Sequence, residues 1–182
     1  VAFAMAFVGL VGFAYLADPG PALSLLAHDI FEQFSSYPLS VIPMFILMGT
    51  FAFASGISRR LFDTTYTWVG QVRGGLTMAT VIACAGFAAI CGSTAATAAT
   101  MGKIALPEMK KRKYDDKLAT GTIAAAGTLG ILIPPSTVLI VYGILTEESI
   151  GKLFIAGVLP GLLLSLSYVI TVVLICMRNP RL

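Results

Sequence analysis

Five stretches of this 182-residue chain contain no Asp, Glu, Lys, Arg or His: residues 1–17, 33–58, 74–102, 118–146 and 153–177. A helix crossing a hydrocarbon layer needs about 20 predominantly apolar residues. The first stretch is marginal by that measure, while the second and the fifth each suffice for one span. The third and fourth, at 29 residues each, are too long for one simple helix and too short for two spans and a loop. Two polar stretches carry a helical period instead. Residues 21–37 set Leu23, Leu26, Ile30 and Phe34 against Asp29, Glu32 and Gln33. Residues 58–72 set Leu61, Phe62, Tyr66, Trp68 and Val69 beside Arg59, Arg60 and Asp63. Both read as amphipathic helices at an interface, with Tyr66 and Trp68 suited to headgroup level.

Composition agrees. Apolar residues make up 57% of the chain and charged residues 12%, with a mean hydropathy of +0.90. Soluble domains carry about 25% charged residues, so this chain has too little charge to cover a globule in water. It is too apolar to be disordered, and a net charge of +3 is too small to suggest nucleic-acid binding. Cys84, Cys91 and Cys176 lie in apolar runs without a CxxC pair, and read as small buried hydrophobes. The expectation is an all-α integral membrane protein. Val1 opens in apolar sequence with no initiator Met, and Arg178–Leu182 resembles the start of a loop. A fragment of a longer membrane protein is therefore expected.

Lysine and arginine give an orientation. With Arg59 and Arg60 on the inner side, residues 40–57 run inward and residues 1–17 run outward. If 74–102 enters and leaves on that inner side, Arg73 and the cluster Lys110, Lys111, Arg112, Lys113 and Lys117 also lie inside. Residues 118–146 then cross outward, Glu147 and Glu148 lie outside, and 153–177 return to Arg178 and Arg181. Eleven of the twelve basic residues fall inside or at the inner end of the hairpin, and Lys152 alone falls outside. A full span at 74–102 would put the basic cluster outside, against the positive-inside rule. The expected organisation is two transmembrane helices joined by an external amphipathic helix (1–57), an inner interfacial helix (58–72), a re-entrant hairpin (73–113), a broken transmembrane helix (114–148) and a transmembrane helix (149–182).

Candidate chemistry falls at the tip and at the break. Cys91 through Thr100 is dense in small and hydroxylated residues. Gly92 permits a turn and Ser93 can cap a second leg, so legs of about 75–91 and 94–108 are expected. The same residues also suit close helix packing; the charge count favours the hairpin. In Gly127 through Thr137, Pro134 and Pro135 cannot donate to the carbonyls of Gly130 and Ile131. A half-helix 117–131, two freed carbonyls and a second half-helix 137–147 capped by Ser136 are expected. A structural kink is the plainer reading of a lone proline; two together, flanked by glycines and hydroxyls, favour function. Helix N-termini attract anions, and freed carbonyls and hydroxyls suit a hard cation such as Na⁺. The cation candidates are Gly92, Ser93, Thr94, Thr97, Gly127, Thr128, Gly130, Ile131, Pro134 and Ser136. No carboxylate or histidine lies in any apolar run to relay protons.

At these residues the chain closely resembles the large (DctM-type) membrane subunit of tripartite ATP-independent periplasmic (TRAP) transporters. The resemblance rests on Ile42–Gly49, Ala85–Ser93, Ala96–Lys103, Ala105–Met109, Tyr114-Asp115, Leu118–Gly121 and Gly127–Ser136. It covers nearly the whole chain, and the blocks are specific in combination. It implies one half of an inverted-repeat, elevator-type permease, here the N-terminal repeat, in the bacterial inner membrane. The second repeat, and with it a complete substrate site, is expected to lie outside this sequence. The implied partners are a small DctQ-type membrane subunit and a periplasmic DctP-type protein that delivers organic-acid anions such as C4-dicarboxylates or sialic acid. It places sodium sites at the hairpin tips and unwound helices, here Gly92-Ser93-Thr94 and Gly127 through Ser136. Na⁺ is the coupling ion, with no other cofactor. The alternative within transport is a Na⁺/anion symporter that needs no binding protein, and a passive channel is weaker. An intramembrane hydrolase, which would pair Ser93 with a base, is weaker still, because the sole histidine, His28, falls in the external polar stretch.

The charge count makes a direct prediction. In a full-length parent lacking Cys84, Cys91 and Cys176, Arg112→Cys should react with a membrane-impermeant thiol reagent only after cells are permeabilised. Glu147→Cys should react on intact cells. Labelling of position 112 from outside would overturn the hairpin.

Overall fold

An apolar chain away from water must satisfy its own backbone groups, and helix does so within one segment. The computed structural model describes residues 2–35, 37–72 and 74–178; the inner-side placement expected of Arg73 and Arg181 lies outside these. The described residues form α1 (Ala2–Ala17), α2 (Pro19–Ser35), α3 (Tyr37–Ala54), α4 (Ile57–Val69), α5 (Gly75–Cys91), α6 (Thr94–Lys111), α7 (Asp116–Gly127), α8 (Leu129–Leu132), α9 (Thr137–Leu145) and α10 (Ile150–Arg178), with no strand among them. This is the all-α membrane architecture expected from the pattern.

The chain divides into two compact units between residues 41 and 42, inside α3. In the first unit α1 and α2 pack on each other across Asp18, whose φ of 103° makes the corner. Ala22 is buried, while Leu23, Ile30 and Phe34 stand exposed along α2. His28 and Glu32 pair at 3.7 Å on its surface; both are well exposed, so the pair adds little stability.

The second unit is built around α5, which packs against α4, α6, α7, α8 and α10. Its sequence is rich in Gly, Ala, Thr and Cys, so neighbouring backbones approach closely on every side. Phe87, Val81 and Cys84 of α5 meet Met101 and Met109 of α6, Ala126 and Leu129 of α7–α8, and Val172 and Cys176 of α10 in one core. The outward face of α10 is the reverse, with Ile155, Leu159, Leu162, Leu166 and Leu174 exposed. A continuous apolar surface of that kind requires a lipid or protein cover. Asp116–Leu145 and Ile150–Arg178 are each long and apolar enough to cross a membrane, whereas Gly75–Cys91 is apolar but shorter.

The α4 helix shows its period clearly. Ser58, Leu61, Phe62, Thr65, Tyr66 and Val69 are turned inward, and Arg59, Arg60, Asp63 and Thr67 outward. Trp68 falls on the outward face at 83% exposure. Tyr66 packs at the base of the hairpin, with the Arg112 guanidinium 4.7 Å from its ring centre. The α3 and α4 axes bend by 61° at Ser55-Gly56, so the two do not form one straight span.

Two boundaries differ from expectation. The first half-helix, expected as one run over 117–131, stops early at Gly127 and resumes as the single turn α8 to Leu132, and the second, expected over 137–147, ends at Leu145. Thr128 causes the early stop: its N–H and its hydroxyl both turn back to the Ala125 carbonyl, at 3.1 and 2.6 Å. At the far end the Glu148 N–H returns to the Gly143 carbonyl through Glu147 at φ 56°, which closes α9 early.

Phe87 is fully buried at the centre of this packing. Phe87→Ala should lower stability by about 3 kcal/mol or more, read as a large drop in melting temperature of the detergent-purified full-length parent. Leu174→Ala, at a side chain 60% exposed, should shift it far less. Equal shifts would show that α5 is not the core of this unit.

Candidate functional site

The hairpin tip is made by two residues. Gly92 closes α5 at φ 61°, in the left-handed region that glycine tolerates, with its N–H on the Ala88 carbonyl at 3.1 Å. Ser93 is extended and caps α6, accepting a long hydrogen bond from the Ala96 N–H at 3.4 Å, while its carbonyl accepts from the Thr97 N–H at 3.0 Å. Both legs therefore end where the composition placed them, although α6 continues to Lys111.

The break is made by more residues. From Ile133 the chain is extended, the Pro134-Pro135 bond is cis, and helix resumes at Thr137. Ser136 bridges the two sides: its hydroxyl donates to the Ile131 carbonyl at 2.5 Å and accepts a long bond from the Leu139 N–H at 3.5 Å. The expected cap is present, and one of the two carbonyls expected to be freed already has a partner. Pro134 offers no N–H to the other, on Gly130.

Tip and break lie against each other. A Cβ on Gly92 would stand 2.3 Å from the Pro135 carbonyl oxygen, and one on Gly130 would stand 2.7 Å from the Ser93 carbonyl oxygen. Only glycine fits at either position. Gly127 sits as closely on Ala98, where a Cβ would be 2.9 Å away. The Thr137 hydroxyl donates to the Gly92 carbonyl at 3.3 Å, a contact the sequence reading did not include. The structure thus joins Gly92, Ser93 and Thr94 to Gly130, Pro135 and Ser136. It directs other candidates elsewhere: the Thr128 hydroxyl bonds Ala125 and meets Tyr168 of α10 at 3.1 Å, and Pro134 lies against α10.

The oxygens at this junction are neutral carbonyls and hydroxyls. Among them, the hydroxyls of Thr94 and Thr97 are buried without a hydrogen-bond partner among the described residues. Thr97 is wholly buried. A buried polar atom normally finds a partner, so these two are free to serve one. The N-termini of α6 and α9 bring partial positive charge to the junction, and the C-terminus of α5 brings partial negative charge. A set without carboxylates suits a monovalent hard cation better than Ca²⁺, which draws on charged ligands. Beside the tip a cavity of about 430 Å³ is lined by Gly49, Phe87, Cys91, Ser93, Thr100 and Lys103. Lys103 gives that cavity a cation on its wall, which the sequence reading counted only toward orientation.

Known proteins resemble this chain along nearly its whole length. The family model described as tripartite ATP-independent periplasmic transporter, DctM component, matches residues 1–180. The chain is 48% identical over 150 residues to a C4-dicarboxylate TRAP transporter large permease protein of Pseudomonas aeruginosa, covering 82% of this chain and 35% of that protein. It is 40% identical over 161 residues to an isethionate TRAP transporter permease of Oleidesulfovibrio alaskensis, covering 88% and 25%. With a sialic acid TRAP transporter large permease of Vibrio cholerae it shares 32% over 179 residues, covering 98% and 42%. The chain thus spans about a third of the length of the first of these curated relatives. It belongs to the DctM component family of tripartite ATP-independent periplasmic transporters.

Proposed function

We propose that this chain forms the Na⁺-binding half of a permease that carries organic-acid anions across the bacterial inner membrane. The observation that carries this reading is the seating of the hairpin tip in the helix break. Two stretches some forty residues apart in sequence present neutral oxygens and unpartnered threonine hydroxyls to one junction. Gly92, Ser93, Thr94, Thr97, Gly130 and Ser136 hold the cation there. Gly127, Thr128, Ile131 and Pro134 shape the segment around it. The cation in turn offsets the charge of an anionic substrate nearby, with Lys103 and the α6 N-terminus contributing. The half described here is one of two inverted repeats, the second completing the substrate site and the pair moving together as an elevator. A small DctQ-type subunit and a DctP-type binding protein work with the permease, and the relatives' names suggest C4-dicarboxylates, sialic acid or isethionate as the cargo class.

The test uses the full-length parent and its small subunit in proteoliposomes. Uptake of a labelled C4-dicarboxylate, sialic acid or isethionate should require an inward Na⁺ gradient and added binding protein. Uptake that needs Na⁺ but no binding protein would select the simpler symporter. Saturation of the flux separates either from a channel.

Gly130→Ala adds one methyl where 2.7 Å separates its position from the Ser93 carbonyl oxygen. The tip must withdraw, and the Na⁺ concentration for half-maximal uptake should rise about tenfold or more, equivalent to at least ~1.4 kcal/mol. Gly121→Ala in α7 meets nothing within 4 Å and should leave that value unchanged. Equal responses from the two variants would separate the junction from cation binding.

A further inference from the structure

By length and hydropathy α10 is a simple span, yet one side of it is shaped to the broken helix. Gly157, Gly161, Leu164, Tyr168, Val172 and Cys176 follow one another at three- and four-residue spacing, which sets them along one face. A Cβ on Gly157 would stand 3.1 Å from the Leu132 carbonyl oxygen and 3.3 Å from Pro134 Cγ. One on Gly161 would stand 2.8 Å from Ile133 Cγ1. The extended stretch therefore rests in a notch of two glycines. Two turns further along the same face, the Tyr168 hydroxyl lies 3.1 Å from Thr128 Oγ1.

The direction of that bond follows from counting protons. A threonine hydroxyl has one proton, and that of Thr128 is committed to the Ala125 carbonyl at 2.6 Å. Tyr168 must then donate and Thr128 accept. With both roles filled, the Thr128 side chain is fixed in one orientation. The Ala125 carbonyl is occupied by the N–H and hydroxyl of Thr128, where a continuous helix would take the N–H of Leu129. A chain of three groups, Tyr168 to Thr128 to Ala125, thus sets where α7 stops and where α8, the single turn that carries Gly130 to the hairpin tip, begins.

We propose that Tyr168 is a positioning residue for the Na⁺ site: its hydroxyl, acting through Thr128, fixes the start of α8, whose Gly130 meets the hairpin tip. It touches no cation itself. The proposal rests on the reading of the tip and break as a Na⁺ site.

The experiment uses the purified full-length parent with its small subunit. The probe is Na⁺ alone, read as the rise in melting temperature with NaCl against choline chloride, since a ligand that binds the folded state stabilises it. Tyr168→Phe keeps the ring and removes only the donor. The Na⁺ concentration giving half of the maximal stabilisation should rise roughly three- to tenfold, the worth of one neutral hydrogen bond. Thr128→Val should produce a similar rise from the other side. The double variant should be no worse than Thr128→Val alone, because that substitution already removes the bond that Tyr168→Phe deletes. A purely structural role would lower the melting temperature in choline and leave the Na⁺ midpoint where it was, and that result overturns the proposal. So does a double variant whose effect on the midpoint is the sum of the two. A wild-type protein that Na⁺ does not stabilise, while remaining folded, instead removes the Na⁺ reading and the positioning role with it.

Discussion

Every backbone polar group away from water needs a partner, and this requirement governs the second unit of the protein. A helix meets it unaided; a turn in an apolar surrounding does not. The chain nevertheless interrupts helix within its apolar runs, among other places at Gly92-Ser93 and at Ile133–Ser136. Each of these two interruptions is supported by the other. The Gly92 carbonyl takes the Thr137 hydroxyl, and Ser136 ties its own two flanking segments together. Glycine at 92 and at 130 removes the side-chain bulk that would keep the two backbones apart.

Small residues carry this arrangement because apolar burial does not draw helices together in lipid as it does in water. Close contact must come from shape. The ring of helices around α5 has few long side chains to order, so little rotamer freedom is lost when the backbones meet. The large side chains that are buried, Phe87, Met101, Met109 and Leu129, fill the middle of the unit and leave the junction itself to backbone and hydroxyl groups.

The hairpin legs were legible because their signals are local: an apolar run, a glycine able to take positive φ, and a serine able to cap. The centre of the break was legible for the same reason, since proline lacks an N–H wherever it stands. Where α7 stops was not. Thr128 stops α7 through bonds whose orientation depends on Tyr168, forty residues further on. The α4 period turns Tyr66 inward with Phe62, but it does not place Arg112 over the ring. The role of α10 left one trace, Gly157 and Gly161 at the spacing that lets a neighbouring backbone approach closely, within a segment whose hydropathy read only as a span. The meeting of tip with break could not be read from either motif, because it is a property of the tertiary fold.

The contacts that support the tip also run in one direction along the chain. Gly92 relies on Pro135 and Thr137, Ala98 is met by Gly127, and Thr128 is held by Tyr168. A chain made from its N-terminus onward therefore completes both hairpin legs before the residues that satisfy their tip exist. The hairpin cannot be finished as an independent insertion event. Its tip meets its partners only once Pro135 and Thr137 have been made, and the notch beneath the break only with Gly157 and Gly161 of α10. The last helix described here thus completes the set of contacts on which the earlier hairpin rests.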